Sequence, residues 1–417
     1  MKIRFSQQPD GNSTLRKMYL SEIDNFRQRE LEIFWELVGE KEVPLPQVYD
    51  GFVNSIIFFA MSIGENIDVE GALSRQYLRN INEMQDAWAL WKPRTYKKIC
   101  ITSSMVFPEP SVSFKQESAL AAYSGGIDSI FTMLRHADAS RSTFSYPLDK
   151  SVLLVHGFDV PLSKKDQFES LQKRIAPLAE ELGLNVKVIR TNSKELALQN
   201  WNDSFAAELS CCLHQYSDRY SYGLIGSSEP YDSLILPWGS SPVTDHLLSG
   251  DLMHIIHDGA AFSRTKKVEY ISHNNLAVQV TKVCWEGLDL YKNCGKCEKC
   301  MRTLLNFMAV GVENPACFEE PLNIKNISGL KIHNETQLNE LKSILEYATT
   351  KGKSAEPWAL ELKQLISTGV SKHTTLNKLE KKFVKLFLLV REKRYQEVLC
   401  KIKRDSLGFL RNMGLSI

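Results

Sequence analysis

The chain has no run of 18 consecutive apolar residues, and its opening, MKIRFSQQPDGNS, is polar where a signal peptide would carry its apolar stretch. Neither a membrane-spanning helix nor secretion is therefore expected, and the expected location is the cytoplasm. It also lacks a surplus of either charge: 51 Lys plus Arg stand against 49 Asp plus Glu, a net charge of +2. That excludes a whole-molecule field of the kind that announces a nucleic-acid binder, so any basic function must be local. Internal repeats and low-complexity tracts are missing as well. Cysteine is sparse and unevenly spent: there are nine, an odd number, and four crowd between 284 and 300. This pattern argues against a disulfide scaffold and for metal or redox chemistry. What remains is a globular chain of 417 residues, 43% hydrophobic, enough for roughly two to four domains.

Composition divides it into three regions. Residues 1–117 form an α+β extension. Its stretches SEIDNFRQRELEIFWELVGE and GFVNSIIFFAMSIGENI read as helical, and KKICITSSMVF reads as a strand ending at the turn-forming Pro108-Glu109-Pro110. From 118 to 318 short apolar runs alternate with amphipathic segments: ALAAYS, SVLLVHGF, the helical KKDQFESLQKRIAPLAEELG, NVKVIR and YGLIGSS. Such alternation predicts an α/β domain, with βαβ units building a Rossmann-like parallel sheet. Residues 319–417 read as a helical, increasingly basic tail. Residues 351–417 carry 15 Lys plus Arg and 6 Asp plus Glu, a local charge of +9. Within it Leu379, Phe383, Phe387, Val390, Tyr395 and Val398 recur at roughly helical spacing, as in a docked surface helix with its lysines in water or in a basic face for RNA, DNA or an acidic partner.

The strand Ala119–Tyr123 runs directly into Ser124-Gly125-Gly126-Ile127-Asp128-Ser129, which opens the helical IFTMLRHA. Adjacent glycines let the backbone turn tightly and bring N–H groups to an anion, and the start of the following helix adds its own attraction for phosphate. Ser124 and Ser129 offer hydroxyl donors, while Asp128 orients the loop or helps to hold Mg²⁺. A Walker loop, GxxxxGK[ST], is not what stands here. Further positions follow the next strands: His156-Gly157-Phe158-Asp159 after the second, Thr191-Asn192 after the third and Gly226-Ser227-Ser228 after the fourth, where open α/β sheets place nucleotide-binding loops. Arg264 and Lys267, three apart, share a helix face and can reach a phosphate together.

Cys284, Cys294, Cys297 and Cys300 are spaced C-x9-C-x2-C-x2-C. Four thiolates at this spacing can close one tetrahedral Zn²⁺ site, with Gly295 making room for the knuckle and Lys292, Lys296 and Lys299 offsetting charge. An iron–sulfur cluster, a redox CxxC and reduced, unligated thiols are the other readings. Cys100, Cys211 and Cys212 read as ordinary core residues.

SGGxDS after a strand resembles the signature of the PP-loop ATP pyrophosphatases, whose fold is the adenine nucleotide alpha hydrolase type. Together with the cysteine cluster, the chain looks like the 7-cyano-7-deazaguanine synthase family. Its C…CGxCxxCxxR form is matched by Cys284, Cys294-Gly295-Lys296-Cys297 and Cys300, although Arg302 falls one place early. Lys267-Val268-Glu269 resembles the Lys-Ala-Glu step before the family's cluster. The resemblance covers about residues 118 to 310. It implies ATP with Mg²⁺, one structural Zn²⁺, and a carboxylate, a deazapurine acid, that is adenylated and joined to ammonia or to a partner-protein amine with release of AMP and pyrophosphate. It implies catalytic roles for Asp128, Ser129, Arg264 and Lys267. Ser124, Gly125, Gly126, Asp128, Ser129, His156, Gly157, Asn192 and Gly226 would bind the nucleotide. The family's biosynthetic enzyme has neither the leader nor the basic tail, and it commonly has Gln where this chain has Ile127. Such long relatives occur in antiphage-defence gene clusters. A tRNA-modifying PP-loop enzyme and a non-catalytic nucleotide-sensing or scaffold protein are the competing readings.

Overall fold

The computed structural model describes residues 1–24, 30–107, 117–137, 145–287 and 289–371. Among them ten strands form one sheet: β1 (Lys2–Asp10), β2 (Ser13–Ser21), β3 (Glu30–Val38), β4 (Ile67–Ser74), β5 (Ile101–Phe107), β6 (Ala119–Ala122), β7 (Leu148–His156), β8 (Asn185–Thr191), β9 (Tyr222–Gly226) and β10 (His254–Asp258). Their spatial order is β10-β9-β6-β7-β8-β3-β2-β1-β4-β5. The helices are α1 (Asp50–Asn54), α2 (Ile57–Ile63), α3 (Arg75–Trp91), α4 (Ile127–Ala137), α5 (Lys165–Glu181), α6 (Trp201–His214), α7 (Arg264–Ser272), α8 (Asn275–Val280), α9 (Glu298–Val310), α10 (Glu335–Thr350) and α11 (Pro357–Ser367). The fold is α/β with a large, mostly parallel central sheet.

Strands β6 to β10 are mutually parallel, and β6 pairs with both β7 and β9. The chain thus winds outward in one direction from β6, then returns to β6 and winds the other way. A crevice opens at the carboxyl ends where the order reverses. Each of these strands except β10 lies where its apolar run predicts. Both faces are covered. Leu120, Leu153 and Ile189 join one core with α6 and the N-terminal elements, while Ala119, Ala121 and Val152 join a second core with α4 and α5. A third core pairs Leu304 and Leu305 of α9 with Leu341 and Ile344 of α10 and Trp358 and Leu362 of α11.

The N-terminal segment extends the same sheet. β1 and β2 form a hairpin around Gly11-Asn12, with Gly11 at φ 58° as a two-residue turn requires, and β3 pairs antiparallel with β8. This corrects the helical expectation for SEIDNFRQRELEIFWELVGE: residues 30–38 of that stretch are β3, and residues 25–29 lie outside the described residues. The decisive signal is a period of two. Leu31, Ile33, Trp35 and Leu37 are buried, and the glutamates between them face out to cross-strand cations. Glu32 pairs with Lys17 at 3.0 Å and Glu36 with Arg190 at 2.6 Å. The expected helix in GFVNSIIFFAMSIGENI is present as α1 and α2, and KKICITSSMVF contains β5.

The Pro108–Pro110 turn and the basic segment with Leu379, Phe383, Phe387, Val390, Tyr395 and Val398 lie outside the described residues. No helix among the described residues is long and apolar enough to cross a membrane.

Trp35 sits at the seam between the two halves of the sheet, fully buried, opposite Thr191 of β8 and edge-on to Phe52 at 5.0 Å. Trp35→Ala is expected to lower the unfolding free energy by about 3–5 kcal/mol, read from urea denaturation. An unchanged midpoint would place this strand outside the core.

Candidate functional site

The turn after β6 is built by its two glycines in different ways. Gly125 has φ +78°, and a Cβ there would stand 2.6 Å from Ile175 Cγ2, so glycine is required by both backbone and packing. Gly126 is not so constrained; the nearest neighbour of a Cβ would be Ser124 Oγ at 3.4 Å, and the residue lines the cavity. Ser129 Oγ donates to the Gly126 carbonyl at 3.0 Å and accepts from Ser124 N at 3.2 Å, which clamps the loop onto the first turn of α4. At the end of β9, a Cβ on Gly226 would meet the Asp128 carbonyl at 2.7 Å, so this strand passes directly against the start of α4.

Asp128, in that first turn, accepts from Arg264 Nη2 at 2.8 Å and from Lys267 Nζ at 3.3 Å. Burial alone would raise its carboxyl pKa, but the two cations outweigh burial and hold it below the ordinary carboxylate range. Both carboxylate oxygens are thereby engaged, and orienting the loop is the role these contacts serve. Lys267 is 1% exposed and is also bonded to Ser227, through its carbonyl and, at 2.8 Å, its hydroxyl. Arg264 spans further: its Nη1 donates to Glu340 of α10 at 2.8 Å, and Glu340 also pairs with Arg302 of α9. Arg302 in turn meets Glu298 at 2.9 Å. Charges of alternating sign thus run from the loop through α7 to α9 and α10.

Beside the loop lies a cavity of about 620 Å³. Four cations line it: Lys194, Arg264, Lys282 and Lys299. Burial pushes the ammonium groups of Lys194, Lys282 and Lys299 below the ordinary lysine value, and Asp159, also on the wall, attracts all three. Lys194 donates to the Phe158 carbonyl at 3.0 Å and lies 3.9 Å above the Trp201 ring. An aromatic wall of Phe158, Trp201, Phe205 and Trp238 continues from there. Ser228 Oγ, Trp238 Nε1 and Arg264 Nε, on cavity-lining residues, are buried with no hydrogen-bond partner among the described residues. Orphaned donors of this kind cost about 1–3 kcal/mol each.

Of the residues singled out by sequence, the cavity wall includes Ser124, Gly126, Asp128, Ser129, Phe158, Asp159, Gly226, Ser228 and Arg264. Lys267 lies one layer back, behind Asp128. Gly125, His156, Gly157 and Asn192 are not on the wall. His156 stacks on Phe168 with ring centroids 4.1 Å apart and bonds to the Pro161 carbonyl at 3.1 Å. Gly157 has φ +115°, and a Cβ would fall 1.9 Å from the Thr191 carbonyl, so it is there for chain packing. Asn192 uses its side chain to hold β3, accepting from Phe34 N at 2.9 Å and donating to the Glu32 carbonyl at 3.1 Å. Lys194, Lys282 and the aromatic residues Trp201, Phe205 and Trp238 were missed, and Lys299 was assigned only to charge compensation at the thiolates. Isolated lysines and aromatic residues carry no motif. The one available hint was that Lys282 and Lys299 lie within two residues of a cluster cysteine.

The four cluster cysteines come together, all Sγ atoms within 4.8 Å of one another, with Cys284–Cys297 at 3.8 Å and Cys294–Cys300 at 3.9 Å. A tetrahedral site with Zn–S bonds of about 2.3 Å has S–S edges of roughly 3.8 Å, so the four can hold a metal ion such as zinc. Gly295 at φ 68° makes the knuckle, and the Cys297 Sγ caps α9 by accepting from Cys300 N at 3.4 Å. Asn293 fastens the far arm, its Oδ1 accepting from Val283 N at 2.8 Å.

No family model, curated protein or solved structure matches the chain.

Purified protein is expected to carry one thiolate-bound metal per chain by elemental analysis, and Cys297→Ser to lose it together with thermal stability. Stoichiometric zinc retained by a stable Cys297→Ser protein would contradict this. For the charge chain, Glu340→Ala leaves Arg264 and Arg302, both largely buried, short of a counter-charge, a loss expected to cost about 3–5 kcal/mol in urea denaturation. A wild-type midpoint would mean that α10 does not depend on these pairs.

Proposed function

We propose that this chain is an ATP-dependent, AMP-forming C–N ligase of the PP-loop kind, similar to 7-cyano-7-deazaguanine synthase. The observation that carries the reading is the setting of residues 124–129: they follow β6, the strand at which the sheet order reverses, open α4 and line the cavity, with Asp128 fixed by Arg264 and Lys267. The loop N–H groups and the start of α4 bind phosphate oxygens, and Arg264 and the wall lysines oppose the charge that develops as pyrophosphate departs. Mg²⁺, when bound with ATP, neutralises further phosphate charge. The loop has no Walker-type lysine, which fits cleavage between the α and β phosphates better than transfer of the γ phosphate.

The reaction assigned is a two-step condensation. A carboxylate oxygen of a deazapurine acid attacks the α-phosphorus of ATP, and the bond to the β phosphate breaks to release pyrophosphate. An amine, from ammonia or a partner protein, then displaces AMP from the activated carbonyl and sheds a proton. The zinc is structural, because four thiolates leave it no open position. The cytoplasm supplies ATP and reduced thiols for both features. A tRNA acceptor is the second reading, resting on the +9 charge of residues 351–417.

With α-labelled ATP, Mg²⁺ and 7-carboxy-7-deazaguanine, labelled AMP is expected together with an amide when ammonia is supplied, or with a nitrile where a second ATP adenylates the amide oxygen so that it leaves with AMP, and with a protein conjugate when a partner amine is supplied. Labelled ADP as the main product would reject the class, and labelled AMP formed only with tRNA would favour the second reading.

A further inference from the structure

Lys282 is 7% exposed, and its ammonium has no hydrogen-bond or ion-pair partner among the described residues, although the residue lines the cavity. Asp159 attracts it from the wall without pairing with it, so the ammonium stays open to an anion in the cavity. Its backbone is tied to the glycine loop: Lys282 N donates to the Gly125 carbonyl at 2.8 Å, and a Cβ on Gly125 would be 3.9 Å from Lys282 Cβ. Lys299, on the first turn of α9, lines the same cavity and likewise forms no ion pair among the described residues; its ammonium stands 4.2 Å above the Trp285 ring. Arg264, on the same wall, is already paired with Asp128 and Glu340, and Asp159 attracts both lysines from the wall without forming a hydrogen bond or ion pair to either. The side of the cavity next to the loop therefore keeps two lysine ammonium groups free of any ion pair among the described residues and open to an anion.

Both lysines are carried by the cysteine cluster. Lys282 is two residues before Cys284, on one arm, and Lys299 lies between Cys297 and Cys300, on the other. The arms approach each other at the four sulfur atoms, so the distance between the two ammonium groups depends on closure of that cluster.

We propose that Lys282 and Lys299 form a pyrophosphoryl subsite completing the glycine loop, and that a metal held by Cys284, Cys294, Cys297 and Cys300 assembles it by fixing the two arms. Resting on the ligase reading for its occupant, this gives the cluster a function in ligand binding beyond stabilising the fold. The pyrophosphoryl group can arrive as the tail of a nucleoside triphosphate or as free pyrophosphate, and AMP lacks it.

The test is calorimetry on metal-loaded full-length protein with inorganic pyrophosphate, ATP and AMP. Lys282→Met and Lys299→Met are each expected to weaken pyrophosphate and ATP binding by roughly tenfold or more, to leave AMP affinity within about twofold, and to keep wild-type metal content and thermal stability. Lys282→Arg and Lys299→Arg should restore most of the loss. Unchanged pyrophosphate affinity in the Met variants overturns the proposal, as does an equal loss for AMP. Chelation of the wild-type metal should cost as much pyrophosphate affinity as the double Met variant, and added Zn²⁺ should return it; unchanged affinity without metal separates the cluster from the subsite and overturns the coupling. Where chelation unfolds the protein, the metal-loaded lysine variants decide. Wild-type protein that binds pyrophosphate through these lysines yet forms no AMP upholds the subsite and removes the ligase reading. Wild-type protein that binds neither ATP nor pyrophosphate removes both.

Discussion

The Asp128 carboxylate, shared between Arg264 and Lys267, is the contact on which the cavity side of the molecule depends. Lys267 is almost completely enclosed, and a lone ammonium in that position would have to give up its proton or its burial. Asp128 and Ser227 remove the conflict, and in doing so they hold the first turn of α4, the end of β9 and α7 at fixed separations. Arg264 extends the constraint outward because its two terminal nitrogens serve two acids, Asp128 at the loop and Glu340 on α10. The C-terminal helices are thus bound to the cavity by charge as well as by the apolar contacts of Leu304, Leu341 and Trp358. Buried pairs of this kind add little net stability compared with apolar packing, but they tolerate only one arrangement of partners. That property suits a loop whose N–H groups must keep their aim.

The N-terminal strands solve a different problem. Without them, β8 would be an edge presenting unpaired backbone groups to other chains. β3 covers it with ladder bonds from Trp35↔Thr191 to Val38↔Val188, and Asn192 continues the attachment past the end of β8. Arg16, buried in β2, donates to the carbonyls of Gln215 and Pro44 at 2.7 Å and ties this extension to the segment after α6. The lining of the cavity begins at Ala122. The first 107 residues therefore act on the site through the sheet that they complete, without touching it.

Local signals made the parallel half readable. A buried ALAA strand meeting Gly-Gly and then an amphipathic helix leaves few geometries open, and four cysteines within 17 residues can converge without help from distant chain. The helical expectation for residues 30–38 failed because glutamate is a good helix former and only the period of its apolar neighbours reveals a strand. The polar residues after β7 and β8 carried another ambiguity: position at a strand end does not say which way a side chain turns. His156 turned inward to Phe168, and Asn192 turned sideways to β3.

The sequence alone determined the strand–loop–helix at 119–137, the α/β alternation that follows it and the identity of the four cluster cysteines, because each depends on residues close together in the chain. Tertiary structure decided the rest. It paired β3 with β8 across 150 or more positions, and it brought Arg264 and Lys267 to Asp128 and Glu340 to Arg264. It also set Lys194, Lys282 and Lys299 around one cavity. A lysine's partners in space leave no trace in its sequence neighbours: burial and charge balance are properties of the packed chain, settled only when segments far apart in sequence close on the same volume.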